Sequence, residues 1–254
     1  ARMFFGRESE VEALWTRIRA RRLLGVIGPS GAGKTSFLRA GLAPARPDDW
    51  AAIVCTPGTA PLRGLGHALG PALAGDAEAL GQLAGFEEPD TAFALVSRWR
   101  QAHADALLIV DQFEELFTLN PPETQARFAS LIARLAGEAD VHVVLSLRDD
   151  FLMRCHEHAC LGPVFDDLTP LGALSQAGLR RALVEPAARL GYRFEDPALV
   201  EDMVACVEGT RAALPLLAFA VSRLWERRDR KRRILSRGAY EAIGGVAGAL
   251  AQHA

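Results

Sequence analysis

Residues 22–40 read Arg22-Leu23-Leu24-Gly25-Val26-Ile27-Gly28-Pro29-Ser30-Gly31-Ala32-Gly33-Lys34-Thr35-Ser36-Phe37-Leu38-Arg39-Ala40. The first six form a short apolar run suited to a buried strand. The next eight carry glycine at both ends of a loop, then Lys34 and Thr35, the spacing of a phosphate-binding loop. Glycine serves where the backbone takes unusual dihedrals or must come close to a ligand. The backbone N–H groups of the loop turn inward as an anion nest, Lys34 supplies a point charge, and Thr35 offers a hydroxyl to Mg²⁺. From Ser36 onward the pattern is helical, so a positive helix end faces the same anion. Strand, glycine loop and helix in that order predict an α/β fold around a nucleotide phosphate site.

Downstream, Ala106-Leu107-Leu108-Ile109-Val110-Asp111 is a second apolar run, with a carboxylate at its C-terminal end. In an open α/β sheet that end is where ligands bind, which puts Asp111 near Thr35 as a holder of Mg²⁺, directly or through water. Gln112-Phe113-Glu114-Glu115 follows. Either glutamate could orient and deprotonate an attacking water; two acids at a helix start are also favoured simply by the helix dipole. Val141 to Arg148 reads as another buried strand, with Arg148 on the same rim as Asp111. A cation there can sense a γ-phosphate, or pair with Asp149 or Asp150.

The flanks are less informative. Phe4-Phe5-Gly6-Arg7-Glu8 precedes a helix over Ser9–Arg22; the two aromatics either join the core or cover a planar base. Trp50–Thr56 reads as the second strand, Pro61–Ala104 as two or three helices, Pro122–Ala136 as another helix, and 164–168 as the last strand. Cys155-His156-Glu157-His158-Ala159-Cys160 has poor spacing for zinc and reads as the end of a short helix. Beyond Leu171 the texture is helical. Ser175 caps a helix to Leu190 that Pro186 should kink or break, Asp196-Pro197 starts another, and Leu214–Arg228 is a third with Pro215 near its start. The basic run from Arg227 to Arg233 is a solvated helix end or a patch for nucleic acid or another partner.

Composition sets limits. In 254 residues, half are hydrophobic, so one large or two smaller domains can bury a core. The net charge of −2 argues against a dedicated nucleic-acid binder in bulk. Four cysteines show no secreted disulfide pattern, and no apolar run approaches the ~20 residues of a membrane helix, so a reducing cytoplasm is the expected location. The chain ends without a stop signal and reads as part of something longer.

The phosphate loop, Asp111-Gln112-Phe113-Glu114-Glu115-Leu116-Phe117, Ser146-Leu147-Arg148-Asp149-Asp150-Phe151 and Leu214-Pro215-Leu216-Leu217 occur in that order. Together they resemble the STAND-type P-loop ATPases, bacterial signal-transduction ATPases with numerous domains that are related to the NACHT and AP-ATPase branches. The resemblance runs from Phe4 to the end. It implies a P-loop NTPase three-layer sandwich with a mostly parallel sheet over 1–171, an all-helical lid over 172–236, and a truncated winged-helix-like module from 237 to 254, with the nucleotide in the cleft between sandwich and lid. It further implies that Phe5, Gly6 and Arg7 help bind adenine, that residues 29–36 (Pro29, Ser30, Gly31, Ala32, Gly33, Lys34, Thr35, Ser36) bind phosphate, that Thr35 and Asp111 hold Mg²⁺, and that Glu114 or Glu115 follows as the acidic pair. Arg148 matches the sensor arginine, and Pro215 the lid proline that packs on the base. Departures are Gln112 where many ATPases carry an acid, and Arg211-Ala212-Ala213 where a glycine often precedes the proline; His253 does not match the family's histidine motif. The implied activity is a slow, Mg²⁺-dependent ATP switch between ATP and ADP that controls self-association and activation of a multidomain signalling or defence protein, with effector and sensor domains attached. A nucleic-acid motor and a nucleotide-binding scaffold without turnover are the alternatives. No guanine motif occurs, and no membrane partner is expected.

Overall fold

A computed structural model describes residues 3–210, 213–246 and 248. The chain divides into two compact units. One comprises Ser9–Gly28 with Lys34–Leu171; the other collects Ala1–Glu8, Pro29–Gly33 and Gly172–Ala254.

The larger unit is a five-stranded sheet in the order β2-β3-β4-β1-β5, parallel throughout. The strands are β1 Leu23–Ile27, β2 Trp50–Cys55, β3 Asp105–Val110, β4 His142–Leu147 and β5 Leu168–Pro170. Near-continuous apolar runs are what a parallel sheet covered on both faces requires. In β3 and β4, Leu108, Val110, Val143, Leu145 and Leu147 face the main core. Leu107, Ile109 and Val144 alternate with them toward the other face and are equally buried. The main core is filled by α3 Pro61–Leu69, α5 Pro89–Gln101 and α7 Pro122–Gly137, which contribute Leu65, Leu69, Trp99, Phe128 and Ile132. The remaining helices of this unit are α1 Glu8–Ala20, α2 Lys34–Ser36, α4 Ala77–Gln82, α6 Glu114–Leu119 and α8 Leu152–His156. The helical run begun by α2 continues as a π-turn over Phe37–Leu42, where the sequence suggested a plain helix over 36–40, and then as a 3₁₀ turn over Ala43–Ala45.

The topology places the rim. β1 connects to the far edge strand β2, and β4 crosses over β1 to reach β5. The connections after β1 and β4 therefore leave in opposite directions, which opens a crevice at the strand ends.

Two expectations need correction here. The last strand is not 164–168: Ala159–Asp166 is a 3₁₀ run containing Pro163, and the strand begins at Leu168, where Gly25–Ile27 pairs with Leu168–Pro170. Pairing with β1, rather than local propensity, sets where this strand begins. Pro186 does not break its helix, which runs unbroken over Gln176–Arg189 (α9). Lying in the last turn, it forfeits a single hydrogen bond.

The smaller unit packs α9 with α10 Pro197–Ala205, α11 Ala213–Glu226 and α12 Arg237–Ala242. Three of them start on side-chain caps: Ser175 accepts from Gly178 N, Asp196 from Leu199 N and Ser236 from Ala239 N. Besides helices its described residues hold one short parallel pair, β6 Arg193–Phe194 with β7 Ile234–Leu235. Tyr240, Ile243 and Val246 lie in the same core as α9–α11, so the described residues beyond 237 add to this unit. Arg211, Ala212 and His253 lie outside the described residues.

The N-terminal segment belongs to this unit through a backbone crossing. Gly6 has φ +93°, and a Cβ built on it would lie 2.5 Å from the carbonyl oxygen of Gly178 in α9. Glu8 fastens the crossing, accepting from Gly6 N at 3.0 Å and pairing with both Arg181 Nη atoms. A methyl here meets main chain that cannot move and a dihedral that L residues avoid. Gly6→Ala is expected to lower stability by more than about 3 kcal/mol, read as an early denaturant midpoint; an unchanged midpoint would show that the crossing relaxes freely.

Candidate nucleotide site

The loop after β1 has the shape its glycines imply. Gly31 and Gly33 take φ +79° and +85°, and Ala32 N closes a turn onto Pro29 O at 3.2 Å. Ser30 and Ser36 are exposed, and Ala32 is buried. Lys34 is buried, and its Nζ donates to Gly28 O at 2.6 Å. Burial pulls its pKa below the usual lysine value; Glu114, Asp149 and Asp111 oppose that shift, and Arg148 adds to it. One ammonium thus sits among three carboxylates and one guanidinium at the sheet rim.

Asp111 is fully buried and both carboxylate oxygens are engaged. Its Oδ1 accepts from Thr35 Oγ1 at 3.4 Å and Gln112 N at 3.0 Å, while Oδ2 accepts from Arg39 Nε at 3.3 Å. β4 separates β1 from β3, so the loop and the acid start about 10 Å apart across two strand spacings, and the side chains of α2 close that gap. Gln112 turns the chain with φ +55°, a dihedral uncommon outside glycine. That turn lets Phe113 N donate to Ser146 O at 2.7 Å, which ties the end of β3 to β4.

The adjacent glutamates separate clearly. Glu115 Oε2 accepts from Gly58 N at 3.0 Å, and Asn120 Nδ2 holds both Gly58 O and Glu115 O. Glu115 is thereby part of the loop after β2. Glu114 Oε2 is buried with no hydrogen-bond partner, and its charge is the largest of those acting on Lys34. The Ser146 hydroxyl, at the end of β4, is likewise buried and unpartnered. Buried orphan oxygens are uncommon and costly, and they mark places where another donor is accommodated.

Arg148 forms a two-point pair with Asp150, Nε to Oδ1 at 3.0 Å and Nη2 to Oδ2 at 2.6 Å, the ion-pair arrangement of the two read from sequence. The Cys155 thiol is buried in the core and its pKa is pushed up to about 12 by that burial, so it stays protonated.

In the smaller unit, Arg7 is buried, and its Nη2 donates to Ala32 O at 3.1 Å and Gly172 O at 2.6 Å. It braces the loop from behind. Phe5 lies under the Arg189 guanidinium at 4.8 Å. Pro215 is exposed in the first turn of α11, and the side chain beside the loop is its neighbour: a Cβ on Gly33 would lie 2.8 Å from Leu214 Cδ1. Leu214 also lines an apolar cavity of about 150 Å³ with Leu179, Leu183, Leu217 and Val221.

Thr35 and Asp111 offer hard oxygen donors side by side, which fits Mg²⁺ sharing its shell with phosphate and water. Sequence reasoning missed Arg39, Ser146 and Leu214. Arg39 was within reach of it, because it follows Thr35 by one helical turn and shares its face; nothing in sequence distinguished Leu214 from Pro215. Arg39 is partly exposed, so its pairing with the fully buried Asp111 is worth less than the about 3–5 kcal/mol of a buried pair. Arg39→Met is expected to destabilise the metal-free protein by about 1–2 kcal/mol in chemical denaturation; an unaltered midpoint would show that Asp111 needs no such counter-ion.

The sequence matches the family described as Novel STAND NTPase 1 over residues 1–254. The chain belongs to that family. Membership makes it a nucleoside-triphosphatase-family protein with a P-loop fold. No curated protein matches the sequence. Among solved structures, this STAND NTPase is similar to the Walker-type ATPase PABY2304 of Pyrococcus abyssi, with TM-score 0.67 and 13% identity over 98% of this chain and 71% of that one. The Aeropyrum pernix ORC1 protein, solved in complex with DNA, gives 0.63 and 17% over 99% and 66%. PCH-2 of C. elegans gives 0.57 and 12% over 96% and 68%. At these identities the likeness is one of fold, and the STAND NTPase spans about two thirds of the ORC1 chain's length. Among the described residues, no helix is long and apolar enough to cross a membrane.

Proposed function

We propose that this chain binds ATP with Mg²⁺, hydrolyses it slowly, and acts as a switch whose ATP and ADP states differ in the assembly of a larger signalling or defence protein. The observation that carries the reading is the Lys34–Thr35–Asp111 constellation with an unpartnered Glu114 carboxylate oxygen beside it. Lys34 and the N–H groups of 30–33 grip the β- and γ-phosphates. Thr35 and Asp111 would hold Mg²⁺, which when bound neutralises charge on the phosphates. Glu114 orients the attacking water and accepts its proton, and the Ser146 hydroxyl is placed to fix that water. Arg148 is a γ-phosphate reporter once phosphate competes with Asp150 for its guanidinium. Phe5, Gly6 and Arg7 support the loop.

A ligand shifts a switch only by as much as its affinity for the two states differs. Calorimetric titration with ATP, ADP and GTP, with and without Mg²⁺, tests the reading. ATP and ADP should bind, ATP at least tenfold tighter with Mg²⁺ present, and GTP more weakly. Absence of nucleotide binding would end it. Light scattering of the parent protein with ATP and with ADP tests the switch.

A further inference from the structure

The basic run that the nucleotide site does not use has a defined shape. Residues 227–233 carry six cations and one carboxylate, a local excess of five positive charges on a chain whose net charge is −2. Asp229 and Ile234 bond in both directions, N to O at 3.0 and 3.2 Å, which closes the segment into a tight hairpin. Asp229 Oδ1 also accepts from Lys231 N and Arg232 N, each at 2.9 Å. The one acid is thus spent on main-chain amides. Arg228 is folded down over Trp225 at 4.4 Å and Tyr192 at 5.6 Å, and anchors the base of the hairpin.

The other five cations of the run contrast with several of the chain's surface arginines that are held in ion pairs. Arg63, Arg98, Arg134, Arg180 and Arg237 each pair with a carboxylate. Among the described residues, Arg227, Arg230, Lys231, Arg232 and Arg233 have no carboxylate partner, and all five are exposed. Leaving so many like charges together on one exposed turn costs self-repulsion, which a polyanion relieves.

We propose that this hairpin is a contact surface for the phosphate backbone of duplex nucleic acid, independent of base sequence. Four of these five cations are arginines, whose planar fork matches phosphate oxygens. The nearest aromatics, Tyr192 and Trp225, are covered by Arg228 and are not free to stack on unpaired bases. The tip exposes no apolar side chain for a bilayer to take up. Backbone charge on a duplex is what remains.

The test is fluorescence anisotropy with two 20-bp DNA duplexes of unrelated sequence. The variant is Arg230→Gln/Lys231→Gln/Arg232→Gln, which keeps Asp229 and the backbone of the turn. Its control is Arg19→Gln/Arg21→Gln/Arg154→Gln, the same charge change elsewhere. Both duplexes should bind the wild type equally at about 0.15 M salt, with log K falling against log salt at a slope of about −4.5 if all five cations engage. The hairpin variant should bind at least tenfold more weakly, its slope shallower by about 2.7, with ATP affinity unchanged; the control should match the wild type. The proposal is overturned by no duplex binding at that salt or by equal losses in variant and control. It is equally overturned if poly-glutamate of matched charge competes as well as duplex, or if phosphatidylserine vesicles are bound and duplex is not.

Discussion

Lys34→Ala is expected to abolish measurable ATP and ADP binding while the protein stays folded. Lys34 is the cation that the loop itself presents, held on Gly28 O at 2.6 Å, and Glu114, Asp149 and Asp111 surround it. Without it, the triphosphate meets three carboxylates with no opposing ammonium. Breaking a buried charge pair by removing one member costs about 3–5 kcal/mol, more than a hundredfold in Kd. Stability without nucleotide should fall by no more than about 1–3 kcal/mol, because Gly28 O loses its donor while relief from burying the ammonium offsets part of the loss. Calorimetry at a series of ATP concentrations, with circular dichroism as the folding control, reads both outcomes. Wild-type affinity in the variant would refute a phosphate grip at this loop.

Glu114→Gln and Glu115→Gln should have opposite consequences. Glu114 Oε2 is buried and unpartnered, and its charge acts on Lys34, which suits the role of base in the proposed function. Its amide cannot accept a proton, so single-turnover hydrolysis should slow by about 10²–10⁴ while ATP binding persists. Glu115 is engaged by Gly58 N, and that loop is held again by Asn120. Glu115→Gln should weaken one charge-assisted hydrogen bond, a loss of about 1 kcal/mol of stability, and leave turnover within a few-fold. The reverse order of effects would assign the base to Glu115. No change in either variant would place it elsewhere.

Much of this was legible in the chain itself because it depends on residues adjacent in sequence. Phosphate-loop spacing, positive-φ glycines and an apolar run ending in an acid are local patterns. They specify strand, nest and helix before any long-range contact forms. The caps at Ser175 and Asp196 are local in the same way.

What stayed hidden depends on which face a side chain presents and on which strand lies between which. Glu114 and Glu115 are one residue apart, yet about 100° apart around a helix; only the packing of α6 sends one to Lys34 and the other to Gly58. Arg148 could reach Asp149, Asp150 or a phosphate, and rotamer geometry selected Asp150. The final strand slipped from 164–168 to Leu168–Pro170 because pairing with β1, not local propensity, chose its register. Which loop would grip a phosphate follows from residue order, since main-chain amides of consecutive residues form the nest. Which acid is left unsatisfied beside that grip follows only from the folded packing, because an orphaned oxygen is defined by every neighbour that fails to reach it.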